Sequence, residues 1–261
     1  MSVSGNITFD KTSGNQADHR LLTDKSGSDS SFVVFNSGAV FHAKDFNGDP
    51  FGTSGPRNTF IFTSGSLYVK DAGNVPFGLN QPESKVVFQS GSTYQHKSGF
   101  PSFAGRSYGN FELNISGSLN ISTGSAAGCS VENFTVTSGT LNFPMNANNT
   151  PQNFDITGTL SVASGATFNY SPSTTSAASL FRFTGSNGTI AGSGTIIFGS
   201  NSTLEFAGDV SIAGASVQVE GTVARKSGTV SVIGGGGMVY GANSALLYNG
   251  YLFPHGKCGM A

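Results

Sequence analysis

The sequence holds no tryptophan, only two cysteines and few charges, with 10% of its 261 residues Asp, Glu, Lys or Arg. Each shortage excludes something. Without Trp, the side chain most used for stacking on sugar rings is missing. With Cys129 and Cys258 alone, the chain is no disulfide-dense scaffold, although one bridge between them stays open in an oxidising compartment. A net charge of −1 supplies no basic excess to hold nucleic acid. No run approaches the ~20 apolar residues that span a bilayer, so no membrane insertion is expected. The start, Met1-Ser2-Val3-Ser4-Gly5-Asn6, has neither a basic nor an apolar stretch. If the protein is exported, the chain is expected to be a mature form or an internal fragment. No Gly-x-Ser-x-Gly elbow, phosphate loop or convincing helix pattern occurs.

What the chain does have is glycine, phenylalanine and a period. Its 37 Gly and 22 Phe are spread along its length. The segment Phe60-Ile61-Phe62-Thr63-Ser64-Gly65-Ser66-Leu67-Tyr68-Val69, followed by Pro76-Phe77-Gly78, has a copy on either side. Upstream it reads Phe35-Asn36-Ser37-Gly38-Ala39-Val40-Phe41 with Pro50-Phe51-Gly52. Downstream it reads Phe88-Gln89-Ser90-Gly91-Ser92-Thr93-Tyr94 with Pro101-Ser102-Phe103. Gly38, Gly65 and Gly91 are 27 and 26 residues apart, and Pro50, Pro76 and Pro101 are 26 and 25 apart. Two independent markers on one period define an internal repeat.

Within each copy, short runs of Phe and β-branched residues flank a Ser-Gly pair, the signal of two strands around a bend. Shorter units follow from Asn110-Phe111, Asn133-Phe134 and Asn153-Phe154, where apolar and polar residues alternate strictly. Such a unit cannot bury its apolar face alone, and stacking on copies of itself solves that. The expected fold is all-β: a parallel β-solenoid, or β-helix, of rungs 20 to 27 residues long. The alternative is an antiparallel β-sandwich. The solenoid predicts one aromatic column of Phe41, Tyr68 and Tyr94, another of Phe35, Phe62 and Phe88, and a hydroxyl ladder at the Ser-Gly corners. Its expected parts are an N-terminal cap (1–30), three long repeats (31–109), shorter rungs (110–232), and a Gly-rich rung with an irregular tail (233–261).

Phrases such as Asn74-Val75-Pro76-Phe77-Gly78-Leu79, Lys85-Val86-Val87-Phe88-Gln89-Ser90-Gly91-Ser92-Thr93-Tyr94 and Gly105-Arg106-Ser107-Tyr108-Gly109-Asn110-Phe111 resemble the β-strand repeats of large secreted and cell-surface bacterial proteins of the Bacteroidota type. The resemblance covers roughly residues 31 to 250. It implies an extracellular or cell-surface location and a solenoid without assigned chemistry.

Few residues suggest a site. Asp45 and Asp71, at similar places in consecutive repeats, are expected to be neighbours about 5 Å apart, a spacing that suits a retaining glycosidase pair. The simpler reading is two solvated turn residues. Lys44, Lys70 and Lys97 recur at intervals of 26 and 27 and are expected to line one face, as a contact for acidic glycans or as charge that discourages edge association. His42 and His96, each following the aromatic of its repeat, are expected on one face about 10 Å apart, too far to share a zinc ion. His19 and His255 lie in the irregular ends. Asp45-Phe46-Asn47-Gly48-Asp49 resembles a calcium loop only in part, lacking the closing Glu. No metal and no cofactor is expected. The expected function is a noncatalytic structural or adhesive segment, a rigid spacer or fibre-forming unit. Expected partners are further copies stacked head to tail, neighbouring domains of a larger surface protein, or a glycan. The alternative is a carbohydrate-binding or polysaccharide-cleaving β-helix.

Overall fold

A computed structural model describes residues 1–10, 21, 32–45, 47–121, 128–143, 153–171 and 179–248, together with the backbone of 251–254. The described chain is all strand and turn. The long repeats place β1 (Ser2–Val3), β3 (Val33–Phe35), β5 (Phe60–Phe62) and β7 (Val86–Phe88) on one side. A second side carries β2 (Asn6–Asp10), β4 (Val40–Asp45), β6 (Leu67–Lys70) and β8 (Thr93–His96). Next come the continuous strands β9 (Ser107–Asn120) and β10 (Cys129–Asn142), which bend through all three sides.

Later rungs spend one strand on each side. The first side continues with β11 (Asn153–Ile156), β14 (Ser179–Phe183), β17 (Ser202–Phe206), β20 (Thr222–Arg225) and β23 (Ala245–Tyr248). The second takes β12 (Thr159–Val162), β15 (Asn187–Gly192), β18 (Asp209–Ala213) and β21 (Val230–Ile233). The third takes β13 (Thr167–Tyr170), β16 (Thr195–Phe198), β19 (Ser216–Val219) and β22 (Gly237–Tyr240), and β24 (Tyr251–Pro254) closes the described chain.

Among the described residues every rung-to-rung pairing of strands β1 to β23 is parallel, with one isolated antiparallel bridge at Ala191 and Gly214. On the second side the ladder runs unbroken from β2 through β4, β6, β8, β9, β10, β12, β15 and β18 to β21. This is a β-solenoid and not an antiparallel sandwich. Rung length varies more than the 20 to 27 expected, from 17 residues between the register partners Thr93 and Asn110 to 34 between Asn6 and Val40. β24 is the exception in direction: it folds back antiparallel on β23, where the tail was expected to be irregular.

The core fills the coil with the predicted columns. Phe35 stacks on Phe62 at 4.2 Å and Phe62 on Phe88 at 5.1 Å. Phe41, Tyr68 and Tyr94 stack at 5.4 Å per step, and the column passes on to Phe111 and Phe134. Phe51, Phe77 and Phe103 from the proline corners close the third side of the long repeats, all buried. In the later rungs Leu141, Phe168, Ile196 and Val217 take over that side. Burying Phe or Leu in this way is worth about 1.5–3 kcal/mol per side chain.

The Ser-Gly corners repeat through the backbone. Gly38, Gly65 and Gly91 all take left-handed φ values, +81°, +76° and +74°. The Gly38 N–H donates to Gly65 O and the Gly65 N–H to Gly91 O, both at 2.9 Å. At Gly91 the Glu132 carboxylate takes the place of the next carbonyl, accepting from Gly91 N–H at 2.8 Å and Ser90 Oγ at 3.0 Å. The hydroxyl ladder expected here takes another form. Ser66 and Ser92 each donate back into their own turn, to Thr63 O and Gln89 O.

Candidate functional site

The second side between β4 and β8 gathers most of the candidate residues, and phase decides where each one points. Counted from the aromatic of its repeat, Lys44 and Lys97 stand three residues on, but Lys70 stands two. Register confirms the offset, pairing Lys70 with Ala43 and with His96. Because side chains alternate along a strand, a one-residue slip moves a group to the other face. Lys44 is exposed and Lys97 partly so, whereas Lys70 points inward at 2% exposure. The expected strip of three lysines does not exist.

The same counting separates the acids. Asp71 stands three residues after Tyr68 and so falls level with Lys44 and Lys97. Asp45 is level with Asp10 on the preceding rung. Asp71 is held on both oxygens, with His42 Nε2 at 2.5 Å and the Lys97 ammonium at 3.5 Å. Lys44 pairs with Asp10 at 2.8 Å, and that hydrogen bond raises its pKa. The expected Asp45–Asp71 pair is therefore replaced by an alternating row of charges, which suits a solvated, self-neutralised surface.

The two histidines also part company. His42 faces outward to Asp71, while His96 is fully buried. Its Nε2 lies 2.9 Å from Gly99 O and its Nδ1 3.0 Å from the Tyr94 hydroxyl. Since a carbonyl only accepts, Nε2 carries the proton of the neutral ring and Nδ1 is left to accept from Tyr94. Burial lowers the His96 pKa to about 4. Burial also lowers that of Lys70, to about 8, with Asp71 opposing the shift. The Lys70 ammonium donates to Ser98 O at 2.7 Å.

The Asp45–Asp49 loop is tied to the rung above it. Asn74 N–H donates to Gly48 O at 2.8 Å and Asn74 Nδ2 to Asp49 at 3.2 Å. Among the described residues no three His, Cys, Asp or Glu side chains form a metal-ligand set. Phe46, His19, His255 and Cys258 lie outside the described residues. Cys129 is buried on the inner side of β10, and that burial raises its thiol pKa.

Two cations were missed by the sequence reading. Lys85, 2% exposed, donates to Phe51 O at 2.6 Å and Ser54 O at 2.8 Å, with the Phe60 ring 5.8 Å away. Arg106, 4% exposed, donates to Leu79 O at 2.9 Å and to Glu83 O, and lies 4.3 Å over the Phe77 ring. Each precedes a first-side strand and pins an earlier proline corner to it. A cleft of about 370 Å³ lies between β7 and the start of β9, lined by Arg57, Glu83, Phe88 and Arg106 among others. Here the first-side ladder stops at β7. Ser84 Oγ occupies the edge, accepting from Val86 N–H at 2.9 Å and donating to Val86 O at 2.7 Å.

Comparison with protein-family models, with curated proteins and with solved structures gives no match. The site must be read from its own chemistry. Its charges are spent on one another and on loop carbonyls, so the arrangement holds rungs and corners together.

Proposed function

We propose that this chain is a noncatalytic structural segment of a secreted or cell-surface bacterial protein, serving as a rigid spacer, adhesive stalk or fibre-forming unit. The observation that carries the reading is the unbroken second-side ladder, β2 to β21, over an interior filled with side chains. Its nine pairings, at about 4.8 Å each, give an axis of roughly 43 Å. Stacked rungs provide length and stiffness because each contacts only its neighbours. The outward row of Lys44, Asp71 and Lys97, with Asp10, neutralises itself and leaves no patch of one sign. The extracellular location and the bacterial source rest on the resemblance of the repeats.

Negative-stain imaging of the purified chain, with sizing over a concentration series, tests the proposal. The expected particles are short rods of uniform width, or filaments of that width at high concentration. Irregular globules would overturn it. So would turnover of a polysaccharide that is lost in a variant combining Asp45→Asn and Asp71→Asn.

A further inference from the structure

His96 and Lys70 hold the same piece of irregular chain from inside the coil. The segment Lys97–Ala104 leaves β8, carries Phe100 outward at 68% exposure and returns Phe103 to the core. Its first half is fastened by His96 Nε2 to Gly99 O, Lys70 Nζ to Ser98 O, and Ser98 Oγ to Asp71 O. The second half hangs on Ser102, which receives Gln81 Nε2 at 2.9 Å on its hydroxyl and the Tyr108 hydroxyl at 2.5 Å on its carbonyl.

The full hydrogen-bond pattern at His96 is that of the neutral ring, since protonation leaves the Nε2 bond to Gly99 O in place but removes the Nδ1 acceptor. Both nitrogens are already used, Nε2 as donor and Nδ1 as acceptor from Tyr94. A second proton on Nδ1 turns that acceptor into a donor facing a hydroxyl that must rotate away. It also sets an imidazolium beside the Lys70 ammonium, its register partner. Around the ring are its register partners, Lys70 on β6 and Leu113 on β9, with Tyr94 on β8 and Phe111 on β9 at ring-centroid distances of 5.9 and 6.3 Å. Glu112 of β9 is paired with Gln95 on the outward side, and Asp71 with Lys97 lies outside Lys70. Among the described residues no carboxylate is placed to compensate the charge. Burial of an imidazolium costs more than its hydrogen bond to Gly99 O returns, and the Lys70 charge adds to that cost.

We propose that Lys97–Ala104 is an acid-released strap: protonation drives His96 out of the interior, frees Ser98–Phe100 and bares the aromatic column at Tyr94 and Phe103. The low pKa of the buried ring, about 4, fits this coupling. Opening restores the ordinary value, so acid favours the open form. Between pH 7 and pH 5 the opening equilibrium should rise about 20-fold.

Hydrogen exchange by mass spectrometry, corrected for the intrinsic pH dependence of exchange, tests this on the whole chain. The expected result is an acceleration of that order in Lys97–Ala104 with β16 and β19 unchanged, absent in His96→Gln and smaller in Lys70→Met. Equal acceleration in wild type and His96→Gln overturns the proposal, as does no acceleration or one shared by β16 and β19. Should His96→Gln not fold, an NMR titration of the wild-type imidazole decides. A midpoint below 5 supports the strap, and one at 5 or above overturns it.

Discussion

Replacing Lys85 with Met should unfasten a corner without emptying the core. The two stems are similar in volume, so repacking costs little. What disappears is a cation bonded to Phe51 O and Ser54 O at 2.6 and 2.8 Å. Ser54 is exposed, so its carbonyl turns to water, but Phe51 is buried and its carbonyl has less room to do so. One stranded buried acceptor costs about 1–3 kcal/mol, and the loss of the ammonium's own desolvation cost holds the total near 2 kcal/mol. For a chain of this size that is about 4–8 °C in Tm. Lys85→Arg keeps the donors and should lose less than half as much. The assay is thermal unfolding followed by far-ultraviolet circular dichroism, with hydrogen exchange across Phe51–Gly55 to localise the effect. Wild-type stability in Lys85→Met, or a loss as large in Lys85→Arg, would refute the reasoning.

Two further outcomes follow from the same geometry. Gly65→Ala should cost more than Gly38→Ala in urea unfolding: both carry left-handed φ, worth ~1 kcal/mol or more to a side chain, but a Cβ at Gly65 would lie 2.5 Å from Ser37 Oγ while that at Gly38 meets nothing within 4 Å. The second concerns alkaline pH. The Lys70 pKa is lowered to about 8 from 10.5, so between those values the unfolded chain keeps a proton that the folded chain has released. The stability of wild type relative to Lys70→Met should therefore rise across that window, by about 1 to 2 kcal/mol after solvent screening beside exposed Gly99; a flat or falling difference in urea midpoints contradicts the assignment.

The solenoid was legible because its core residues share one phase as well as one period. Phe35, Phe62 and Phe88 and then Phe41, Tyr68 and Tyr94 fall at matching places around each Ser-Gly, and they stack as that pattern requires. The surface was misread where interval stood in for phase. Lys44, Lys70 and Lys97 keep intervals of 26 and 27, yet Lys70 is one residue nearer its aromatic, which turns it inward. His96 and Asp45 were misplaced by the same single residue. The pins at Lys85 and Arg106 left no sequence signal, since their partners are backbone carbonyls that every residue carries. Glu132 is similar: its partners, Ser90 and Gly91, lie on the corner below a rung that crosses at Gly109 with no Ser-Gly turn.

The central claim, that distance along the molecule grows by one strand spacing per rung, is open to a direct ruler. Spin labels at Thr93 paired in turn with Thr189, Ser211 and Ser231, with Cys129 and Cys258 replaced by Ser, span four, five and six second-side steps. Pulsed electron resonance should return distances near 19, 24 and 29 Å, rising by about 4.8 Å each time. Three distances that fail to climb in equal steps would contradict the stacked-rung account.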